Sequence, residues 1–259
     1  MFMDISVNGP KIYFEIPIFG GIRITQTTVS LLVVTILLIV AAYLLTRGLS
    51  KRPGKAQVIV EKLVTMLYNL VEDTMGKHNL VFAPYIGTLF LCSIVGTLIG
   101  MTQIFRSTTA DLSVTLAWAL VTSVMVWYNN IKNFGFKAWL KGFTEPIVVM
   151  TPMNIVSEIA QPISMAFRHF GNVAGGSVLT SLIYGALAAL TSLLFSWLPA
   201  AVAAAFPPIF QVGIPALLSI YFDLFSGFVQ ALVFSLLTMV YVGGACPPPA
   251  EKPQTEKSK

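Results

Sequence analysis

Charge is what this sequence lacks most. Asp, Glu, Lys and Arg make up 10% of its 259 residues, against about 25% in an average soluble domain. Sixteen cations and eleven anions are too few to cover the surface of a soluble fold this size. That excludes an ordinary cytosolic enzyme and a disordered chain. Cysteine is scarce as well: Cys92 sits in an apolar run and Cys246 near the C-terminus, which excludes a disulfide scaffold. The two histidines, His78 and His169, lie too far apart in sequence to suggest a metal site, and nothing points to a cofactor. The net charge of +5 comes without a basic patch interleaved with aromatics, so nucleic acid is not an expected partner. What is abundant is apolar side chain: 56% of residues, with a mean hydropathy of +0.79. The expected class is a polytopic, all-α membrane protein.

A bilayer core of about 30 Å takes roughly 20 apolar residues per helical span. Residues 24–46, 78–105 and 112–131 carry no Asp, Glu, Lys or Arg, and each reads as one span. The first is too long, begins too deep and lacks the following small-residue site of a signal peptide. From 142 to 250 the charged side chains are Glu145, Glu158, Arg168 and Asp223 alone. Turn signals at Ser196–Pro199 and Phe206–Pro208 divide this stretch into two apolar arms, about 147–195 and 209–243, that form a hairpin. The first arm is too long for one upright helix. It is expected to be strongly tilted, broken at Pro152, Pro162, Gly171 or Gly175–Gly176, or both.

Lys and Arg in the loops orient the chain. Segments 47–77 and 132–145 and the tail together hold twelve, whereas the N-terminus and the loop at Arg106 hold three. With five crossings, residues 1–23 are expected outside and the tail, 244–259, in the cytoplasm, with 24–243 as the membrane domain. Segment 53–76 alternates apolar residues with Glu61, Lys62, Glu72 and Asp73 between Pro53 and Gly76. It reads as an amphipathic helix in the cytoplasmic interface, with a solvated loop helix as the alternative. The Pro- and charge-rich tail reads as disordered. Gly87, Gly96 and Gly100 suit close helix packing; Cys92 and the methionines read as packing too.

A charge at the centre of a span is expensive and marks function by default. Gln161, Ser164, Arg168 and Asn172 share one face of a 3.6-residue helix, and Ser219, Asp223, Ser226 and Gln230 share one face of the other arm. Such stripes would line a water-filled path. A buried Arg168–Asp223 salt bridge is the plain alternative, but Arg168 lies 28 residues before the turn and Asp223 15 after it. That depth mismatch, roughly 20 Å at about 1.5 Å per residue, argues against direct pairing. Ser177 lies nearer the depth of Asp223, and Gln230 approaches that of Asn172 and Arg168. Glu158, about 15 Å from Arg168 on the cytoplasmic side, reads either as a second aqueous entrance or as an interfacial carboxylate without a role. His169 reads as a helix-facing or pore-edge imidazole.

Ala166-Phe167-Arg168-His169-Phe170-Gly171-Asn172 resembles the Arg-x-Phe-Gly-Asn element of subunit a of the F-type ATP synthase, in its bacterial form. Phe228 to Tyr241 resembles that family's last helix, and Phe105 to Thr115 its second-loop and third-span signature. With a looser likeness over Pro53 to Tyr85, the resemblance spans about 50–243 in order. It implies a non-catalytic stator subunit of the membrane sector, CF(0), in a bacterial plasma membrane. Its implied partners are a ring of c subunits, b-type peripheral stalk subunits and lipid, and it would carry H⁺ or Na⁺ through two offset half-channels. Arg168 would be the family's essential arginine, meeting each ring carboxylate, with Asn172 and Gln230 flanking it and Ser177 and Asp223 in the outer half-channel. Ser177 and Asp223 depart from the Glu or His usual there, and His169 stands where Leu is usual.

The rival class is a stand-alone secondary transporter with a midplane substrate site. It predicts internal repeats and symmetric discontinuous helices, which the sequence does not display. A purely structural anchor leaves the polar stripes unexplained.

Overall fold

The structure is a computed structural model that describes residues 12–17, 22–51, 54–102, 104–145, 147–194 and 220–248. It opens on a feature the sequence reading did not anticipate. β1 (Ile12–Ile16) and β2 (Ile22–Thr25) pair antiparallel, Phe14 opposite Ile24 and Ile16 opposite Ile22. The alternation of Ile12, Phe14 and Ile16 carries this period-2 pattern.

β2 runs directly into α1 (Gln26–Thr46), which is apolar all round. Its buried residues are Thr27, Ser30 and Val34, all in the N-terminal half. Leu32, Ile36, Ile39, Val40 and Leu44 are exposed, as befits side chains whose solvent is lipid. The Thr27 hydroxyl donates to Asp111 Oδ2 at 2.6 Å, while Asp111 Oδ1 accepts from the backbone N–H of Ser113 at 2.9 Å. One carboxylate therefore caps the start of α4 (Leu112–Phe134) and ties α1 to it, satisfying an orphan helix donor.

α2 (Lys55–Met75) is the amphipathic helix expected from 53–76, and it buries Val71 and Met75 near its C-terminal end. It stops at Gly76, whose φ of +83° suits glycine. A 3₁₀ turn, Lys77–Phe82, leads into α3 (Ala83–Leu98) and a further 3₁₀ turn, Ile99–Thr102. Gly96 and Gly100 face residues 107 and 108, and a Cβ on Gly100 would meet Ser107 Cβ at 2.8 Å. The close approach foreseen for these glycines is thus to the loop before α4. There Ser107 donates to the Gly96 carbonyl at 3.2 Å, and the hydroxyls of Thr97 and Thr109 meet at 2.9 Å. α4 ends at Gly135, φ +86°, and α5 (Phe136–Gly142) follows.

α6 (Thr151–Leu194) is one helix of 44 residues with Pro162 inside it. It is not broken at any of the four candidate positions. At about 1.5 Å per residue it is roughly 66 Å long, twice the hydrocarbon thickness, so tilt accommodates it. The expected turn signals at 196–199 and 206–208 lie outside the described residues. The described part of the last arm is a π-helical turn, Ile220–Ser226, that continues as α7 (Gly227–Ala245).

Among the described residues, five helical segments are long and apolar enough to cross a membrane: Gln26–Thr46, Lys77–Thr102, Leu112–Phe134, Val148–Thr191 and Leu224–Ala245. The fold is the all-α, polytopic one expected. α7 is its hub. One core cluster packs Met239, Val242 and Ala245 on Val71, Met75, Ala83, Ile86 and Val126, and a second packs Phe234 on Leu89, Ala119, Met165 and Ala166. Helix association in lipid rests on such packing and on interhelical hydrogen bonds. The chain is also held beyond 243. Asn133 Nδ2 donates to the Ala245 carbonyl at 2.8 Å, and the Cys246 carbonyl accepts from His78 Nε2 at 2.9 Å and Asn79 Nδ2 at 3.1 Å. These side chains satisfy carbonyls left open at the helix end. The remaining tail, from 249, lies outside the described residues.

Candidate functional site

α6 has two faces set by its period. Pro162, Met165, Ala166 and His169 are buried against the body, the i, i+3, i+4, i+7 pattern of a core stripe. The stripe expected from sequence lies beside it: Gln161 half-buried, Ser164, Arg168 and Asn172 exposed. Arg168 makes no hydrogen bond or ion pair with any described residue. A cleft of about 350 Å³, lined by Ser157, Gln161, Ser164, Arg168, Leu237 and Tyr241 among others, runs along this stripe between α6 and α7.

One turn above Arg168, Asn172 Nδ2 donates to Gln230 Oε1 at 2.6 Å. Gln230 is buried. This bond sets the antiparallel register of α6 and α7. Arg168 lies four residues before Asn172 and Asp223 seven before Gln230 on the antiparallel arm, so their backbones are separated by about 16 Å along the helices. Ser177, five residues after Asn172, falls near the level of Asp223 by the same count.

Below Arg168, the Trp127 indole Nε1–H donates to Glu158 Oε1, joining α4 to α6. Glu158 lines a second cleft of about 510 Å³ with Asn130, Glu145, Asn154 and Ser157. Asn154 Nδ2 donates to the carbonyls of Phe143 and Glu145 at 2.8 and 3.1 Å, fastening the N-terminal end of α6 to the chain after α5. Ser157 lines both clefts, so the polar surface is continuous from Glu158 to Arg168. Pro162 adds to it, because it has no N–H to offer the Glu158 carbonyl four residues back.

The second sequence stripe changes. Ser219 lies outside the described residues. Asp223 and Ser226 belong to the π-helical turn, where the bond pattern widens to i→i+5, so the uniform 3.6-residue phase assumed from Ser219 to Gln230 does not hold. Ser226 is half-buried, and Gln230 is placed against Asn172 of the first stripe.

His169 faces the helices. It is fully buried, its Nε2 lies 3.0 Å from Ser93 Oγ, and Trp118 and Phe234 meet its ring edge-on. Among the described residues, no group of three His, Cys, Asp or Glu side chains could hold a metal ion. Sequence reasoning did not single out Trp127, Ser93 or Tyr241. Trp127 and Ser93 are 31 and 76 residues from their partners, and each lies in a run whose apolar character predicts only a span.

A bundle of membrane-length helices, the longest carrying a polar stripe with an arginine that has no ion pair among the described residues, defines a polytopic membrane protein. The chain matches the family described as the ATP synthase A chain over residues 27–243, and it belongs to that family. It is 30% identical to "ATP synthase subunit a, sodium ion specific" of Propionigenium modestum over 92% of this chain and 86% of that protein. It is 32% identical to "ATP synthase subunit a 1" of Crocosphaera subtropica over 93% of both, and 33% identical to "ATP synthase subunit a" of Geotalea daltonii over 81% and 82%. It is therefore a multi-pass membrane subunit of the ATP synthase complex with the ion-channel stator role.

Proposed function

We propose that this chain passes H⁺ or Na⁺ through two offset half-channels and exchanges it with carboxylates on a rotating c ring, with Arg168 at the point of exchange. The observation that carries the reading is Arg168 itself: exposed, without an ion-pair partner among the described residues, and at the end of a polar cleft. A ring carboxylate crosses lipid only when its ion neutralises it. Beside Arg168 the bare carboxylate is stabilised, so the ion leaves. The guanidinium keeps its charge throughout, and the same charge blocks direct leakage between half-channels.

In this reading the inner half-channel follows Glu158, Ser157, Gln161 and Ser164. The outer one follows Ser177, Asp223, Ser219 and Ser226. The Asn172–Gln230 bond closes the wall between α6 and α7 where the two meet. The chain catalyses no reaction of its own; b-type stalk subunits hold it against the ring. The N-terminus faces outward and the C-terminus the cytoplasm of a bacterial plasma membrane.

ATP synthesis by reconstituted complex, under an imposed H⁺ or Na⁺ gradient and a membrane potential, tests the assignment. Arg168→Ala is expected to abolish synthesis and open a passive leak while the complex still assembles. Arg168→Lys is expected to fail too, since a lysine can lose its proton in such a site. Normal synthesis by either variant would overturn it.

A further inference from the structure

We infer that His169 is a positioning residue: its hydrogen bond to Ser93 sets the rotation of α6 about its own axis, and with it the direction in which Arg168 faces the cleft. The inference rests on the role proposed above for Arg168. The other buried residues of α6 within two turns of Arg168 on its N-terminal side are Pro162, Met165 and Ala166. Contacts of that kind are non-directional, and lipid adds no hydrophobic force between helices to hold one rotation over another. A hydrogen bond is directional. His169 supplies one to α3, through Ser93 at 3.0 Å, from a socket whose other walls are Trp118 of α4 and Phe234 of α7.

Arg168 is therefore bracketed. The residue after it is bonded to α3, and Asn172, one turn on, is bonded to α7 at Gln230. Two directional bonds to two different helices, within one turn of the arginine, leave α6 little freedom to roll. His169 and Ser93 are both fully buried, and neither lines the cleft at Arg168. Their part is to aim the arginine without touching the ion.

The test is made on the whole complex in membrane vesicles, in a Cys92→Ser, Cys246→Ser background, with Ser164→Cys as the reporter on the Arg168 face. The rate of modification by a water-soluble methanethiosulfonate reads the rotation without requiring ion transport. Loss of one interhelical hydrogen bond is expected to slow labelling about fivefold in His169→Leu and in Ser93→Ala, with a rise in passive ion leak. His169→Gln, which can still bond Ser93, should stay within about twofold of the parent. If His169→Leu fails to assemble, Ser93→Ala, which removes only a hydroxyl, decides. Unchanged labelling in the assembled variants would overturn the inference and leave the role of Arg168 standing. Normal synthesis by Arg168→Ala would sink that role, whatever the labelling shows.

Discussion

The side-chain N–H of Asn172 points at the side-chain oxygen of Gln230, 2.6 Å away and 58 residues later in the chain. The bond fixes how far α6 has slid along α7. It places the Arg168 backbone on one side of the contact and the Asp223 backbone on the other, about 16 Å apart along the helices.

If that bond acts as one unit, the two residues should not contribute independently. Asn172→Ala and Gln230→Ala are each expected to lower ion-driven ATP synthesis. The double variant should be no worse than the poorer single one, the signature of residues in direct contact. Exchanging the side chains, Asn172→Gln with Gln230→Asn, conserves the summed length and should recover part of the activity. Losses that multiply in the double variant would show that the contact does not matter.

Glu158 and Trp127 are expected to behave the same way at the inner entrance. Trp127→Phe keeps the ring and removes the donor, so the Glu158 carboxylate loses its hydrogen bond to α4. ATP-driven ion pumping into inverted vesicles should fall about threefold to fivefold, by the loss of one charge-assisted bond. Glu158→Gln should fall at least as far, and combining the two should add little. Wild-type pumping by Glu158→Gln would instead make it the interfacial carboxylate without a role.

The distribution of Lys and Arg predicts a cytoplasmic C-terminal tail. A cysteine introduced at position 256 should react with an impermeant maleimide in inverted vesicles and stay protected in intact cells. A cysteine at 223 should react with small aqueous thiol reagents from the outside. The reverse pattern at 256 would invert the topology, and full protection at 223 would remove that position from the outer half-channel.

Cys246, just past the end of α7, is expected to resist alkylation at neutral pH. It is buried, and burial pushes its thiol above the usual value, against the opposing effects of Asn133 and the Lys132 charge. The thiolate is the nucleophile, so a raised value means less thiolate at pH 7 and a rate that climbs only at more alkaline pH than for an exposed cysteine. Modification of Cys246 should be at least about tenfold slower than that of a cysteine at 256 at pH 7, and Asn79→Ala, which removes a bond to the Cys246 carbonyl, should speed it. Equal rates at 246 and 256 at pH 7 would contradict the burial.

Much of this molecule was legible in its sequence because lipid is an unforgiving solvent. Every crossing needs about 20 apolar residues, and a charge within one is costly enough to stand out. That is why the five spans, the amphipathic helix at 55–75 and the polar stripe around Arg168 could be read directly, and why counting residues from the turn was enough to bring Gln230 near Asn172. The β1–β2 pairing was present as an alternation of Ile12, Phe14 and Ile16, but so short a signal carries weight only once its partner strand is in place.

Tertiary structure decided the rest, for identifiable reasons. α6 runs unbroken through Pro162 because the cost of a missing helix bond depends on what surrounds the freed carbonyl, which sequence does not state. The π-helical turn at Ile220–Ser226 re-phases Asp223 and Ser226, and no residue pattern announces it. Trp127 beneath Glu158 and Ser93 behind His169 are partners that only packing could bring together. Composition says which face of a helix must avoid lipid; the direction in which Arg168 points is settled by the neighbours its helix binds.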